Sequence, residues 1–242
     1  MKTANRVLRL FGALLLSGAP ILAQTPLSSP MLAGTLKLSE SPYVVDGPRR
    51  VPDGATLEIE AGVEILMIGQ GSGIEVRGTL EVAGTAEKPV VFRSAVDPSV
   101  PGAWKGIEFA ESSRGDLRWL QVRHARRAVL ADGAEVWLRN VRLSESAEAA
   151  VYANGSKVRL SDCEIGEGSP SATAVVAVNG SDVEIQRGKV SGARTGIAAT
   201  GYSSVALLDA FVEKNELGLP VGYSARSGFC EYPLYTIFTS AL

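Results

Sequence analysis

The sequence predicts an all-β protein, a right-handed parallel β-helix of about seven three-strand coils with a cap at each end. Three observations lead to this prediction. A phrase of about 22 residues recurs along most of the chain, each copy holds three short stretches of alternating apolar and polar residues, and an Asx-Gly dipeptide returns at one corner. Such short strands cannot cover a core alone, so equivalent strands should stack around one interior.

The clearest copies begin at Gly133, Gly155, Gly180 and Gly201, and the first three of these glycines follow Asp or Asn, which predicts a corner with a positive φ angle. Period-two alternation turns the apolar side chains of a strand to one face. The interior column predicted for the first strand contains Leu57, Leu80, Leu117, Val136, Val158, Val183 and Val205. An antiparallel sandwich or barrel is the alternative, but it would need two-residue hairpin turns throughout, whereas the middle turn varies in length.

One step of the repeat is longer than the others. Between Leu80 and Leu117 lies a proline-bearing segment, Ser94 to Trp104, which should form a loop on the side of the stack. We expect Trp104 to pin this loop to the rod rather than to contact a ligand.

The first residues have the pattern of a secretory signal peptide. Lys2, Arg6 and Arg9 precede an apolar run that ends at Ala23, and cleavage is expected after Ala23. A membrane anchor is the alternative, but the run is shorter than the roughly 20 residues that a span needs. We therefore expect a secreted, periplasmic or extracellular protein with no membrane span in the mature chain.

The rest of the chain divides into a segment that follows the repeat and two flanking segments that do not. We expect a flexible lead-in and an irregular N-terminal cap coil in residues 24–50, the β-helix in residues 51–222, and an aromatic-rich C-terminal cap in residues 223–242. A cap is required because an open coil end exposes apolar side chains and strand edges. Docking to a partner is the alternative for residues 223–242.

Charge and residue counts exclude some classes of function. Lys and Arg number 24 against 26 Asp and Glu, so no excess of positive charge indicates nucleic-acid binding. The two cysteines are Cys163 and Cys230; export permits a disulfide between them, but Cys163 falls on an inward position and favours a buried thiol.

His124 is the single histidine, which excludes a histidine-based relay and a multi-histidine metal site. We expect it to align with inward Leu143 and to play a structural role. No cofactor or metal is predicted.

The opening phrases also resemble a known family. VPDGATLEIEAGVEIL, IEVRGTLEVAGTAEKPVVF and PGAWKGIEF resemble the first coils of right-handed parallel β-helix proteins of the pectate-lyase-like superfamily, and are most similar to secreted bacterial members without an assigned activity. The resemblance covers Val51 to about Val221. It implies the fold and a link to polysaccharides, but its motifs do not specify a reaction.

Catalytic relatives on this fold use clustered Asp carboxylates, or calcium with a basic residue that removes a proton. The Asp pairs and Gly-His-Gly of the hydrolase-type relatives do not occur here, and Asp132, Asp162, Asp182 and Asp209 fall at different phases of the repeat. No paired-carboxylate site is therefore predicted. A lyase-like arrangement would need only one Arg or Lys with a loop-borne acid.

A basic strip is the candidate binding face. Outward positions of the first and second strands, with the corner between them, should bring together Arg118, Arg123, Trp137, Arg139, Arg142 and Arg159. Guanidinium groups beside an indole can bind an acidic sugar polymer through carboxylate contacts and ring stacking. The alternative is a solvated face on which Arg142 pairs with Glu164 and Glu164 pairs with Lys189 across coils.

These observations predict a secreted, non-catalytic β-helix that binds an acidic polysaccharide or a cell-surface component. Two alternatives stay open. One is a polysaccharide lyase or hydrolase that acts on an acidic glycan with the same face, and the other is a structural component of an envelope or secretion assembly.

Overall fold

The computed structural model describes residues 24–166 and 168–217, which form a parallel β-solenoid of about nine turns. Its three sheets contain parallel pairs at every strand interface described, so the predicted parallel β-helix is confirmed and the antiparallel alternative is excluded. The only helix in these ranges is a 3-10 turn, Leu38–Glu40. The predicted signal peptide, the predicted C-terminal cap and Cys230 lie outside the described residues.

Sheet I is formed by the first strand of each coil, and eight of its strands fall within the described ranges. They are β2 (Gly34–Leu36), β5 (Thr56–Glu60), β8 (Thr79–Ala83), β11 (Arg114–Arg118), β14 (Glu135–Arg139), β17 (Lys157–Ser161), β20 (Asp182–Gln186) and β23 (Ser204–Leu208).

Sheet II is formed by the second strand of each coil and follows sheet I after a short corner. Its nine described strands are β1 (Thr25–Pro26), β3 (Tyr43–Val45), β6 (Glu64–Met67), β9 (Val90–Ser94), β12 (Leu120–Arg123), β15 (Arg142–Ser144), β18 (Glu164–Gly166), β21 (Lys189–Ser191) and β24 (Phe211–Glu213).

Sheet III is formed by the third strand of each coil. Its seven described strands are β4 (Pro48–Val51), β7 (Gly73–Val76), β10 (Ile107–Phe109), β13 (Arg127–Asp132), β16 (Ala149–Asn154), β19 (Thr173–Val178) and β22 (Thr195–Ala199).

The interior column of sheet I has the predicted register over its later coils. Val136 pairs with Val158, Val158 with Val183, and Val183 with Val205. The first three of these valines are fully buried. Because equivalent apolar side chains lie above one another, each coil buries its neighbour's interior and the stack forms one continuous core.

The prediction of about seven coils was too low, because the solenoid begins earlier than the repeat suggested. Residues 34–51 form a complete coil despite their prolines: Leu36 pairs with Ile59, Tyr43 with Ile65. The segment expected to be a flexible lead-in also contributes, since β1 pairs with β3 and Leu32 is buried. Apolar side chains that cover the open end of the core explain why these residues join the solenoid.

The predicted register of the coil after the insertion was wrong by two residues in its first two strands. Gly115 stacks between Leu80 and Val136, in the interior place predicted for Leu117. A Cβ atom on Gly115 would lie 2.7 Å from two ring carbons of Phe109. Because the Phe109 ring fills this part of the interior, the inward position accepts no side chain, and the apolar pattern alone misses it.

The Asx-Gly corner has the predicted positive φ angles, for example +63° at Gly133 and +55° at Gly155. The side chains that precede the glycines also bond from coil to coil. Asn154 Nδ2 donates to Asp132 Oδ1 at 2.7 Å, and Asn179 Nδ2 donates to Asn154 Oδ1 at 2.7 Å. The repeated dipeptide thus both turns the chain and links successive coils.

Cys163 occupies the inward position that the repeat predicts for it. It is buried, and its Sγ atom lies 3.4 Å from the carbonyl oxygen of Leu138. Burial raises the pKa of the Cys163 thiol to about 11. The thiol therefore behaves as a small apolar group in the core.

Trp104 attaches the insertion loop to the rod, as predicted. Its side chain is fully buried, its ring stacks with Phe92 at a centroid distance of 6.3 Å, and its Nε1 donates to the carbonyl oxygen of Arg123 at 2.8 Å. The neighbouring backbone adds a bond from Ala103 N to the carbonyl oxygen of His124 at 2.9 Å.

Candidate functional site

The six residues of the predicted basic face lie on two sheets. Arg118, Trp137, Arg139 and Arg159 belong to strands of sheet I, whereas Arg123 and Arg142 belong to strands of sheet II. Two of them occupy a different column from the one predicted, because of the register shift after the insertion. Asp116 pairs with Trp137 where Arg118 was expected, and Gln121 pairs with Arg142 where Arg123 was expected.

Carboxylates form ion pairs with Arg118, Arg139 and Arg159 of sheet I. Asp116 accepts a hydrogen bond from Arg118 Nη2 at 2.6 Å and another from Arg139 Nη1 at 3.0 Å. Arg159 Nη2 donates to Asp182 Oδ2, and this hydrogen bond lowers the pKa of the Asp182 carboxyl. The Arg118 pair lies within one strand, whereas the pairs of Arg139 and Arg159 join neighbouring coils. Trp137, on the same sheet, is half-buried.

A corner with unusual backbone geometry separates sheet I from sheet II. Its residues adopt positive φ angles in five successive coils, at Trp119, Asn140, Asp162, Arg187 and Asp209. The first four of these residues each donate a backbone hydrogen bond to the next coil, such as Asn140 N to the carbonyl oxygen of Ser161 at 3.0 Å. Asp162 accepts two hydrogen bonds of 2.8 Å from Arg187, which lower the pKa of the Asp162 carboxyl.

The outward side chains of sheet II form one ordered column beside this corner. From coil to coil it contains Gln121, Arg142, Glu164, Lys189 and Phe211, and we call these five residues the sheet II column. It presents an amide, a cation, an anion, a cation and an aromatic ring at intervals of about 4.8 Å.

The charges of the sheet II column are only partly paired within it. Arg142 Nε donates to Glu164 Oε2 at 2.8 Å, as the predicted ladder requires. Lys189 instead reaches Glu213 Oε1 at 2.9 Å. That hydrogen bond raises the pKa of the Lys189 ammonium and lowers the pKa of the Glu213 carboxyl. The side chains of Arg142, Glu164 and Lys189 are 54%, 59% and 47% exposed, so all three charges are open to solvent.

Two shallow depressions flank the sheet II column. One, of about 290 Å³, is lined on the sheet II side by Ser144, Gly166 and Ser191 with the charged column. The other, of about 330 Å³, lies over the corner and includes Trp119 and Asn140. Arg142 and Glu164 line both depressions and form the ridge between them. Of the six predicted residues, Arg142 is the one that lines these two depressions.

Trp119 is the site residue that the sequence reasoning missed. The predicted register placed it inward in a pair with Leu117, whereas its side chain is 36% exposed at the corner. Counting back one coil from Val136 would have placed Gly115 inward and Trp119 at the corner. The absence of an apolar side chain at Gly115 hid this signal.

His124 does not occupy the interior position predicted for it. Val122 pairs with Leu143 there, and His124 follows the end of β12 with a φ angle of +62°. Its Nε2 lies 2.7 Å from Glu145 Oε2, across one coil, and its side chain is 17% exposed. The imidazole therefore joins two successive corners rather than filling the core.

Three carboxyls near the two sheets are held in their ionised form. Ion pairs lower the pKa values of Asp162, Asp182 and Glu213, so these carboxylates accept hydrogen bonds. Within residues 24–166 and 168–217, no three His, Cys, Asp or Glu side chains are grouped so that they would hold a metal ion. No helix of those same ranges has the length and apolarity to cross a membrane.

Comparison with protein families supports the resemblance described above. Residues 31–115 match the family model of the pectate-lyase like beta helix domain, and the described coils form the parallel solenoid that this name implies. Comparison with curated proteins and with solved structures gave no match.

Proposed function

We propose that this protein is an exported, non-catalytic β-helix that binds a polysaccharide along the outer face of sheet II. The observation that carries the proposal is the exposed sheet II column between two depressions, with the indole of Trp119 beside one of them. The match to the pectate-lyase like beta helix domain supports a polysaccharide as the ligand class. The apolar run that ends at Ala23 supports export.

The chemistry of the face fits sugars. An exposed indole offers a flat apolar surface for a sugar ring, while the amides of Gln121 and Asn140 and the ion pair of Arg142 with Glu164 offer donors and acceptors for hydroxyl groups. Shallow, open depressions suit an extended polymer that contacts several coils, because each contact contributes a modest free energy and the contacts add along the chain.

The face differs from the basic strip that the sequence predicted. Arg118, Arg139 and Arg159 line neither of the two depressions, so they do not belong to the proposed site. The proposed site therefore retains Arg142 and adds Trp119, Glu164 and Lys189.

Affinity electrophoresis in gels that contain polysaccharides tests the proposal. We expect the protein to be retarded, and we expect Trp119→Ala to weaken binding about tenfold, which corresponds to ~1.4 kcal/mol. Trp137→Ala is the matched control, because it removes an indole from sheet I and should leave retardation unchanged.

Two results would contradict this proposal. One is that no polysaccharide, acidic or neutral, retards the protein. The other is that the Trp119 and Trp137 variants lose binding equally. Incubation with uronic-acid polymers and calcium, followed by the absorbance of unsaturated products, distinguishes binding from lyase activity. Steady product formation would assign the protein to the catalytic alternative.

A further inference from the structure

We infer that the sheet II column selects an acidic polysaccharide in which charged and uncharged sugars alternate, with one carboxylate in each disaccharide. This inference rests on the proposed polysaccharide binding and adds the charge pattern of the ligand. It follows from the order of the side chains in the column and from the spacing of the coils.

Spacing relates the column to a sugar chain. Successive coils rise by about 4.8 Å, and a pyranose ring adds a similar length to an extended polysaccharide. A chain that lies along the solenoid axis therefore places about one sugar over each coil. Five coils of the column would contact about five sugars.

The order of the side chains determines at which positions the column favours a charged sugar. Arg142 and Lys189 lie two coils apart, about 10 Å, so they match carboxylates on every second sugar. Gln121, Glu164 and Phe211 hold the other positions, and none of them is a cation. The amide and the Glu164 carboxylate accept hydrogen bonds from hydroxyl groups, while the Phe211 ring, which is 53% exposed, can stack on a sugar.

Glu164 is the residue that discriminates between polymers. If every sugar carried a carboxylate, one of them would face the Glu164 carboxylate and be repelled. An alternating polymer instead places a neutral sugar there. Specificity thus comes from an unfavourable contact with the wrong polymer as well as from two favourable contacts with the right one.

The existing ion pairs leave the cations available to a ligand. Arg142 with Glu164 and Lys189 with Glu213 are solvent-exposed ion pairs, and such pairs contribute little to stability because water screens them. A ligand carboxylate can therefore replace or share these partners at small cost. Ser144 and Ser191 line the same depression and can donate hydrogen bonds to the ligand.

Affinity electrophoresis with three polymers tests the inference on the full mature chain. Hyaluronan alternates glucuronate with a neutral sugar, polygalacturonate carries a carboxylate on every sugar, and hydroxyethyl cellulose is neutral. We expect the protein to bind hyaluronan about tenfold more tightly than polygalacturonate. In Glu164→Gln, affinity for polygalacturonate should rise about fivefold while affinity for hyaluronan changes less than twofold.

Two further variants complete the test. Glu81→Gln removes the same charge from the outer face of sheet I and should change neither affinity, which separates a local effect from a change in net charge. Lys189→Gln should weaken hyaluronan binding about fivefold without affecting hydroxyethyl cellulose. Equal or tighter binding of polygalacturonate by the wild-type protein, or no response to Glu164→Gln, would overturn the inference and leave polysaccharide binding standing. Retardation by none of the three polymers would instead contradict the proposed function.

Discussion

Replacing Gly106 with alanine is expected to destabilise the protein by at least about 3 kcal/mol, through strain and overpacking together. Gly106 has a φ angle of +126°, and an added Cβ atom would lie 1.7 Å from the carbonyl oxygen of Arg127. The contact is with backbone, which cannot turn away as a flexible side chain can. Gly106 also precedes β10, where the insertion rejoins sheet III, so the strain falls on the sheet itself.

Chemical or thermal unfolding measures this effect, and Gly54→Ala is its control. Gly54 also has a positive φ angle, +72°, but an added Cβ atom there would meet nothing within 4 Å. We expect it to cost only about 1 kcal/mol from backbone strain. A loss of stability in Gly106→Ala no larger than in Gly54→Ala would show that the chain does not approach Arg127 as described.

Trp104→Ala should destabilise the protein by about 3–5 kcal/mol, the usual cost of removing a large, fully buried aromatic side chain. The change removes the stacking on Phe92 and leaves the carbonyl oxygen of Arg123 without its indole donor. Because Trp104 joins the insertion loop to β12, the loop should also become sensitive to proteases near Val96 and Val100, which are already exposed.

Trp119→Ala is the matched control for Trp104→Ala. It removes the same side chain from an exposed corner, so its effect on the unfolding midpoint should be small, within about 1 kcal/mol. Limited proteolysis of the two variants measures the accessibility of the loop, and urea unfolding measures the stability of the core. Equal stability of the two variants, with the loop equally resistant to protease, would contradict the role assigned to Trp104.

The fold could be predicted because its determinants are local and repeated. Alternating apolar residues indicate the same register in each later coil, and Asx-Gly corners mark three of them, so Val136, Val158 and Val183 stack as expected. Prediction failed where one coil departs from that pattern. At Gly115 the interior is filled by the Phe109 ring from another strand, and such compensation between strands leaves no periodic signal.

The candidate site could be predicted only in part, for a related reason. The sequence indicated the charged column through Arg142, Glu164 and Lys189, because these residues recur at one-coil spacing. It did not indicate that Asp116 holds two arginines of sheet I or that Lys189 turns to Glu213. Those choices depend on side-chain conformations and on diagonal neighbours, which a count along the chain does not contain.

Distances between spin labels on one outward column test the stacking of coils, on which the site and both proposals depend. In sheet I, four coil steps separate Glu81 from Glu184 and six separate Glu58 from Ala206. Both native cysteines are first replaced by alanine, and each pair of positions is then changed to cysteine and spin-labelled. Double electron–electron resonance should give separations of about 19 Å for the first pair and about 29 Å for the second. If the labels at positions 58 and 206 are no farther apart than those at positions 81 and 184, the single continuous stack is contradicted.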